Sequence, residues 1–350
     1  MTYERHRAAR NWGARIREIT MAGLPAVVLE NELIRVTVLP GRGCDITEFC
    51  YKPRDMDFTW LPPWALPNPA DSADTADGAG SFFDTYSGGW QEILPNGGAA
   101  CTYRGAALGQ HAEVSALPWD AEITADEPGE VAVTCTVRTR RLPLALRKTL
   151  RLASGHPTLL VEEELINTGP VDVEAMWGHH IAFGAPFLRE GCRVTLPDGI
   201  SVIPHDTAIN PPDRRVSPGG AWDWPRVPAQ HGGSVDLSVI PARGAASDIV
   251  YLAGFGERAW YEITDPALRL GLRVGWDGGV LPYLWLWQES GATADYPWWG
   301  QAQVTGLEPF SSYPTSGLAA AAANGTALRL PGHARRELSA EITVVDEEAQ

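Results

Sequence analysis

Apolar residues fall on every second position in stretch after stretch of this chain, and that period decides what it can fold into. In Val131–Arg138, Val131, Val133, Cys135 and Val137 alternate with small or polar residues, the mark of a strand with one face buried. Leu268, Leu270, Leu272, Val274 and Trp276 repeat the pattern, with Arg269, Gly271, Arg273 and Gly275 on the other face. Leu338, Ala340, Ile342 and Val344 do so again near the end of the chain. Between Glu130 and Trp177 the alternation predicts four successive strands, broken at Leu142-Pro143, Ser154-Gly155-His156-Pro157 and Asn167-Thr168-Gly169-Pro170. Such clusters are turn chemistry, and their spacing suits an antiparallel meander. Helical periodicity is nearly absent: Ser316–Ala323, closed by Asn324-Gly325, reads as a turn or two. Pro62–Gly80 reads as one long Pro/Ala/Asp loop, a length usually tied to function or mobility in a compact domain.

No composition shift marks a linker and no fixed-period repeat is present. The expectation is therefore one domain over residues 1–350. It is all-β: two large twisted antiparallel sheets packed face to face, with few short helices and loops gathered over a concave side. The 36 Gly and 28 Pro, scattered along the chain, supply the turns that many short strands need.

Charge and cysteine usage narrow the function classes. A formal net charge of −15 argues against nucleic acid, whose phosphates require a basic surface. It also favours neutral small ligands over strongly anionic ones. No apolar run approaches the roughly 18 residues of a membrane span. The basic start, MTYERHRAARNWGARIREI, lacks the apolar core of a signal peptide. Cys44, Cys50, Cys101, Cys135 and Cys192 form no C-x-x-C pair, so free thiols and a cytoplasmic location are expected.

Three stretches depart from the alternating pattern. They are Leu108-Gly109-Gln110-His111-Ala112-Glu113, Trp177-Gly178-His179-His180-Ile181-Ala182-Phe183 and Gly306-Leu307-Glu308-Pro309-Phe310-Ser311-Ser312-Tyr313-Pro314. Taken singly, a histidine at a strand edge is more often a hydrogen-bonded structural residue, and a Glu before Pro a solvated carboxylate. His179 and His180 are adjacent, so on a strand they face opposite ways and only one can enter a given cleft. That disfavours a metal clamp, and with no cysteine or carboxylate at ligand spacing no metal is expected.

Taken in order, the three stretches resemble the aldose 1-epimerase (galactose mutarotase-like) superfamily, as a divergent branch of it. The counterparts of the family's two histidines and one glutamate are His111 in QHAE, His180 in HIAF and Glu308 in GLEPFSSYP. The H-x-x-F register selects His180 over His179, because Phe183 lies three residues after it. Ala112-Glu113 replaces the family's Gly-Gly, Phe310 its usual Gln and Thr315 its Asp. The resemblance implies a large mutarotase-like sandwich and a cofactor-free interconversion of the α and β anomers of a hexose or modified hexose. It implies Glu308 as base and His180 as acid on opposite sides of the anomeric centre, with His111 hydrogen-bonding the ring oxygen or a nearby hydroxyl. A non-catalytic sugar-binding or sensing protein with the same cleft is the other reading. Either would be a monomer or a homodimer.

The 14 tryptophans carry a separate argument. Sugars pack their C–H faces on aromatic rings and need polar partners for their hydroxyls. Trp285, Trp287 and Glu289 share one strand face, and Trp298-Trp299 follow in a Pro/Gly loop. These rings either fill the core or line a cleft, and Trp287 and Trp299 are the candidate platforms. Arg42 and Asp45 sit in a Gly-flanked turn, where they hold a hydroxyl or an anionic group, or else pair with each other. Gly88-Gly89-Trp90 and His179 are the remaining candidates for the cleft floor.

Overall fold

The alternating segments pair into two large antiparallel sheets. The computed structural model describes residues 10–64, 66, 80–209 and 213–349. A twelve-stranded sheet runs Arg15–Met21, Leu24–Glu30, Ile34–Leu39, Asp45–Tyr51, Trp90–Ile93, Gly178–Phe183, Gln303–Phe310, Tyr283–Ser290, Asp248–Ala253, Ser201–Pro204 and Trp222–Asp223, with Met56–Asp57 beside Asp45–Tyr51. An eight-stranded sheet runs Arg193–Thr195, Arg258–Asp265, Leu270–Asp277, Arg335–Asp346, Thr158–Asn167, Leu144–Ala153, Glu130–Arg138 and Asp120–Glu127. This is the mutarotase-like supersandwich.

The eight-stranded sheet keeps one face wet. Leu146, Leu150, Leu152, Leu159, Val161 and Leu165 are buried, while Arg147, Glu162 and Glu164 alternate with them outside. Each fully buried aliphatic side chain contributes about 1.5–3 kcal/mol. In the larger sheet the central strands lose this alternation. All six residues of Gly178–Phe183 are buried, as are the last seven of Tyr283–Ser290 and of Gln303–Phe310. One face packs on the other sheet, where Phe183 meets Tyr261 edge-on at 6.2 Å. The other is roofed by loops, and the candidate site lies under that roof.

Of the four strands expected between Glu130 and Trp177, the first three form the meander. The fourth, Val173–Ala175, pairs instead with Leu328–Leu330. Asn167 explains the departure: its amide donates to the carbonyls of Val171, Leu330 and Pro331 at 2.7, 3.1 and 3.1 Å, peeling the chain off the sheet. The helix expected near Ser316–Ala323 spans Leu318–Ala323, with Asn324 as its C-cap. Most of the loop expected over Pro62–Gly80 lies outside the described residues. At its end Gly80–Asp84 is a single helical turn. All five cysteines are free thiols. Among the described residues no helix is long and apolar enough to cross a membrane.

Between the sheets lies a buried ionic cluster that local sequence does not announce. The Lys148 ammonium stands 3.0 Å from Glu92 and 3.4 Å from Glu163, all three fully buried. His179 Nε2 donates to Glu163 at 2.9 Å, and the Trp177 indole donates to Glu92 at 2.7 Å. The Trp90 indole donates to His179 Nδ1 at 3.0 Å. An indole N–H only donates, so this geometry places the His179 proton on Nε2, facing Glu163, while burial is outweighed by Glu163 and Glu92, which push the His179 pKa up. Burial and the neighbouring Glu163 push Glu92 up to about 7, whereas His179 and Lys148 outweigh burial and hold Glu163 down at about 2. Ligand atoms of Glu92, Glu163 and His179 come within 4.8 Å of one another, and the ammonium beside them supplies the positive charge. His179 thus has the carboxylate neighbours that sequence spacing did not reveal. They come from strands 16 and 87 residues away in sequence.

Candidate functional site

Glu308 and His180 are brought together by strand register. The strands Gly178–Phe183 and Gln303–Phe310 are neighbours, and Trp285 lies opposite Glu308 on the next strand. Side chains opposite one another share a face, so Glu308, Trp285 and Trp287 point to the roofed side with His180. There they line a cavity of about 210 Å³ together with Phe82, Phe83, Tyr86, Gln110, His111, Ile209, Ile249, Trp298 and Thr315.

His180 Nε2 and Glu308 Oε1 are 3.5 Å apart. The expectation that they flank a sugar from opposite sides is corrected here: they stand side by side on one wall. Burial alone pushes the Glu308 carboxyl well above the carboxylate range. Burial likewise lowers His180 to about 4. Both shifts favour the state in which the pair holds one exchangeable proton, on Glu308 or passed to the imidazole, over full ionisation.

Tyr86, which sequence reasoning did not single out, sets the other side of His180. Its hydroxyl lies 3.3 Å from His180 Nδ1, and its ring packs edge-on at 5.4 Å. A phenol both donates and accepts, so Tyr86 donates to a neutral imidazole and accepts from an imidazolium. The two adjacent histidines thus meet different partners: the Trp90 indole donates to His179 Nδ1, while the Tyr86 hydroxyl can serve either state of His180.

His111 completes the polar end. Its ring centroid is 5.3 Å from that of His180 and 4.6 Å from that of Phe82. The Gly98 backbone N–H donates to His111 Nδ1 at 3.2 Å, which leaves Nε2–H as the donor for a ligand. Burial, then the neighbouring His180, lower its pKa well below the usual value, so it acts as a neutral donor. His111 is held at φ +46°, a left-handed conformation that costs a non-glycine residue energy and is common at functional sites.

The other sequence candidates lie elsewhere. Arg42 and Asp45 form a buried pair at 2.9 Å and are not among the residues lining the cavity. Asp45 also accepts from Ser87 at 2.6 Å and Gln91 at 3.2 Å, so the pair braces the turn that carries Tyr86. Trp90 and His179 face the ionic cluster between the sheets. Gly89 serves the backbone, since an added Cβ would strike the Ile46 carbonyl. Trp298 lines the cavity, whereas Trp299 is 60% exposed and does not. Trp287 does line it, 5.9 Å from His180.

Gly306, which opens the GLEPFSSYP stretch, has a steric role the sequence did not reveal. A Cβ there would overlap Glu308 Oε1 and approach Trp287 to 3.3 Å. Gly306→Ala is expected to displace the carboxylate, which is the free end of a flexible side chain, at a stability cost of only about 1 kcal/mol. Any activity depending on Glu308 should fall on the order of 10²-fold, as for a misplaced catalytic group. Urea unfolding and a rate assay on one preparation would check both halves.

The two-sheet sandwich with its roofed cavity defines the fold class, that of the galactose mutarotase-like structures. Within that class the chain belongs to the DUF4432 family, described as a domain of unknown function, whose profile matches residues 21–344. No curated protein sequence matches it. Among solved structures it is similar to a candidate aldose 1-epimerase from Klebsiella pneumoniae, at 18% identity and a TM-score of 0.73, over 96% of this chain and 84% of that one. It is also similar to the Slr1438 protein of Synechocystis, at 17% identity and a TM-score of 0.65, over 97% and 99% of the two chains. A galactose mutarotase-like protein from Lactobacillus casei shares 16% identity with a TM-score of 0.58, over 91% and 99%. At these identities the likeness establishes the fold.

Proposed function

We propose that this protein interconverts the α and β anomers of a free aldose of hexose size by acid–base catalysis between Glu308 and His180. The observation that carries the reading is the pairing of His180 with Glu308, 3.5 Å across, on the wall of a cavity sized for one sugar ring. In a pyranose the anomeric hydroxyl O1 and the ring oxygen O5 are bonded to the same carbon. Two groups side by side therefore suit them better than two groups a ring apart. One group takes the O1 proton while the other gives a proton to O5; the C1–O5 bond breaks and C1 becomes an aldehyde. Rotation about C1–C2 presents the other carbonyl face, and closure returns both protons.

Opening and closing are the same step run in reverse, so each group both gives and takes a proton in every cycle. Glu308 is the base when the pair starts as carboxylate and imidazolium, and the acid when it starts from the neutral form that burial favours. His111 Nε2–H is placed to hold O5 or a neighbouring hydroxyl, and Trp287 to pack against the sugar's C–H face.

The test is NMR anomeric-exchange spectroscopy on the purified protein with a panel of aldoses. Catalysed exchange supports the reading; binding without exchange makes this a sugar-binding protein instead. The pH dependence is a second check. Below about pH 4 His180 gains a second proton and the pair loses its base. Glu308 loses its proton only above the ordinary carboxylate range of about 4.3, and the pair then loses its acid. The catalysed kcat/KM, corrected for spontaneous exchange, should rise through about pH 4 and fall again at higher pH as Glu308 ionises. An acid-side rise centred on pH 6.5, the ordinary value for histidine, would contradict the lowered pKa of His180.

A further inference from the structure

We propose that Tyr86 is a positioning residue that makes His180 a base when a sugar fills the cavity, by choosing which ring nitrogen carries the proton. The inference rests on the anomerase reading and adds a residue to it. The requirement comes from the neutral form of the pair. There Glu308 gives its proton to O5, so His180 must take the O1 proton, and a neutral imidazole takes a proton only at its bare nitrogen. Nε2 is the nitrogen on the Glu308 side, 3.5 Å from Oε1. Nδ1 faces the Tyr86 hydroxyl at 3.3 Å. While that hydroxyl donates to Nδ1, the proton of the neutral ring sits on Nε2 and the bare nitrogen is turned away from Glu308. In the other neutral tautomer Nδ1–H donates to the Tyr86 oxygen, and Nε2 is bare.

A sugar oxygen decides between the two. Tyr86 lines the cavity with His180 and Glu308, and a phenol has one proton to give. Once that proton is donated to a sugar oxygen, the phenol only accepts from the ring, and the Nδ1–H tautomer is selected. The two tautomers exchange through solvent: Nε2 loses a proton to water and Nδ1 gains one, so the count is unchanged. When Nε2 then takes the O1 proton, the bond from Nδ1–H to Tyr86 becomes charge-assisted and strengthens.

The phenol is held for this task. Its ring packs against Phe82 at 5.2 Å, Trp60 at 5.6 Å and Trp298 at 6.2 Å. The Trp64 indole donates to the Tyr86 carbonyl at 3.3 Å, and the Ser87 hydroxyl donates to Asp45 at 2.6 Å. Burial, and after it the nearby Glu308, hold the Tyr86 pKa well above the usual range, so the phenol stays neutral. A carboxylate in its place would favour the imidazolium, as Glu163 and Glu92 do for His179 by outweighing burial. A neutral phenol orients the ring and leaves burial to keep it a free base.

The experiment is nitrogen NMR on protein carrying ring-labelled histidine, with the His180 signals identified by their loss in His180→Asn. Galactose, glucose and mannose are titrated in, and anomeric exchange is measured with the same sugars. A sugar that is exchanged should move the protonated-nitrogen signal of His180 from Nε2 to Nδ1. Tyr86→Phe keeps the ring and its packing but neither donates nor accepts. In it the tautomer should stop responding to sugar, and kcat should fall on the order of 10–100-fold, comparable to losing the outer partner that orients a metal-bound histidine. KM should rise less than roughly tenfold, as for one neutral hydrogen bond. A packing role alone would leave the effect of sugar on the tautomer unchanged. Should Tyr86→Phe fail to fold, the wild-type titration decides by itself. A tautomer that stays put while a sugar saturates the protein and is exchanged, or wild-type kcat in Tyr86→Phe, would overturn the inference and leave the anomerase reading standing. A tautomer moved by a sugar that binds without being exchanged supports the switch and overturns that reading. No response of either kind to any of the three sugars overturns both.

Discussion

Glu308→Gln should lose catalysed anomeric exchange by on the order of 10²-fold or more, the usual contribution of a positioned acid or base, with sugar affinity largely intact. The amide preserves the shape of the side chain and part of its hydrogen bonding, but it neither takes nor gives the required proton. His180→Asn should behave in the same way, because its imidazole is the other half of the one-proton pair. His111→Asn should weaken binding as well as rate, since Nδ1 is engaged by the Gly98 N–H and Nε2–H is left to hold a sugar oxygen in the cavity. The effects of Glu308→Gln and His180→Asn should be less than additive, as both groups serve one step. Stability gives an independent readout. The folded-state pKa of Glu308 is raised, so its contribution to stability is present below the unfolded carboxylate pKa and is lost as pH rises towards the folded value. Glu308→Gln should therefore flatten the decline of stability with pH in that window. Unchanged exchange in the variant would remove Glu308 from the mechanism.

Lys148→Met should destabilise the fold by about 3–5 kcal/mol at pH 8, the range for breaking a buried ion pair by removing one partner. The substitution leaves Glu92 and Glu163 fully buried without the ammonium between them. The loss should shrink as pH falls. Glu92 already sits at about 7 beside the ammonium, and it rises further without it. By pH 5.5 it is protonated and its uncompensated charge is gone. Glu163 keeps its bond from His179 in either case. Adding Glu92→Gln to Lys148→Met should recover part of the loss at pH 8. Urea midpoints at the two pH values decide the matter, and a loss under about 1 kcal/mol at pH 8 would show that the cluster does not hold the sheets together.

The two histidines show where reading the sequence stops. Strand alternation places His179 and His180 on opposite faces, and the H-x-x-F spacing singles out His180. Nothing local, however, says that His179 meets Glu163 and Glu92, because those contacts depend on the register of separate strands and on which sheet covers which face. Arg42 and Asp45 illustrate the same limit: a polar pair in a Gly-rich turn reads equally well as ligand-binding or structural until its neighbours are known. Trp298 and Trp299 are adjacent with similar surroundings in sequence, and the turn they occupy turns one inward and the other out. Tyr86 carried no motif, and Gly306 stood in the Glu308 stretch without a role of its own. One matters for where its hydroxyl lands and the other for the side chain it leaves out.

By itself, then, the sequence determined the all-β class, most of the strands between Glu130 and Trp177, and the resemblance that drew His111, His180 and Glu308 together. These are legible because the strand period is local and short motifs survive divergence. The tertiary structure alone decided the 3.5 Å pairing of His180 with Glu308, the opposite directions in which burial shifts their pKa values, and the aromatic lining of the cavity. Those properties depend on how residues distant in the chain exclude water from one another, which no local pattern encodes.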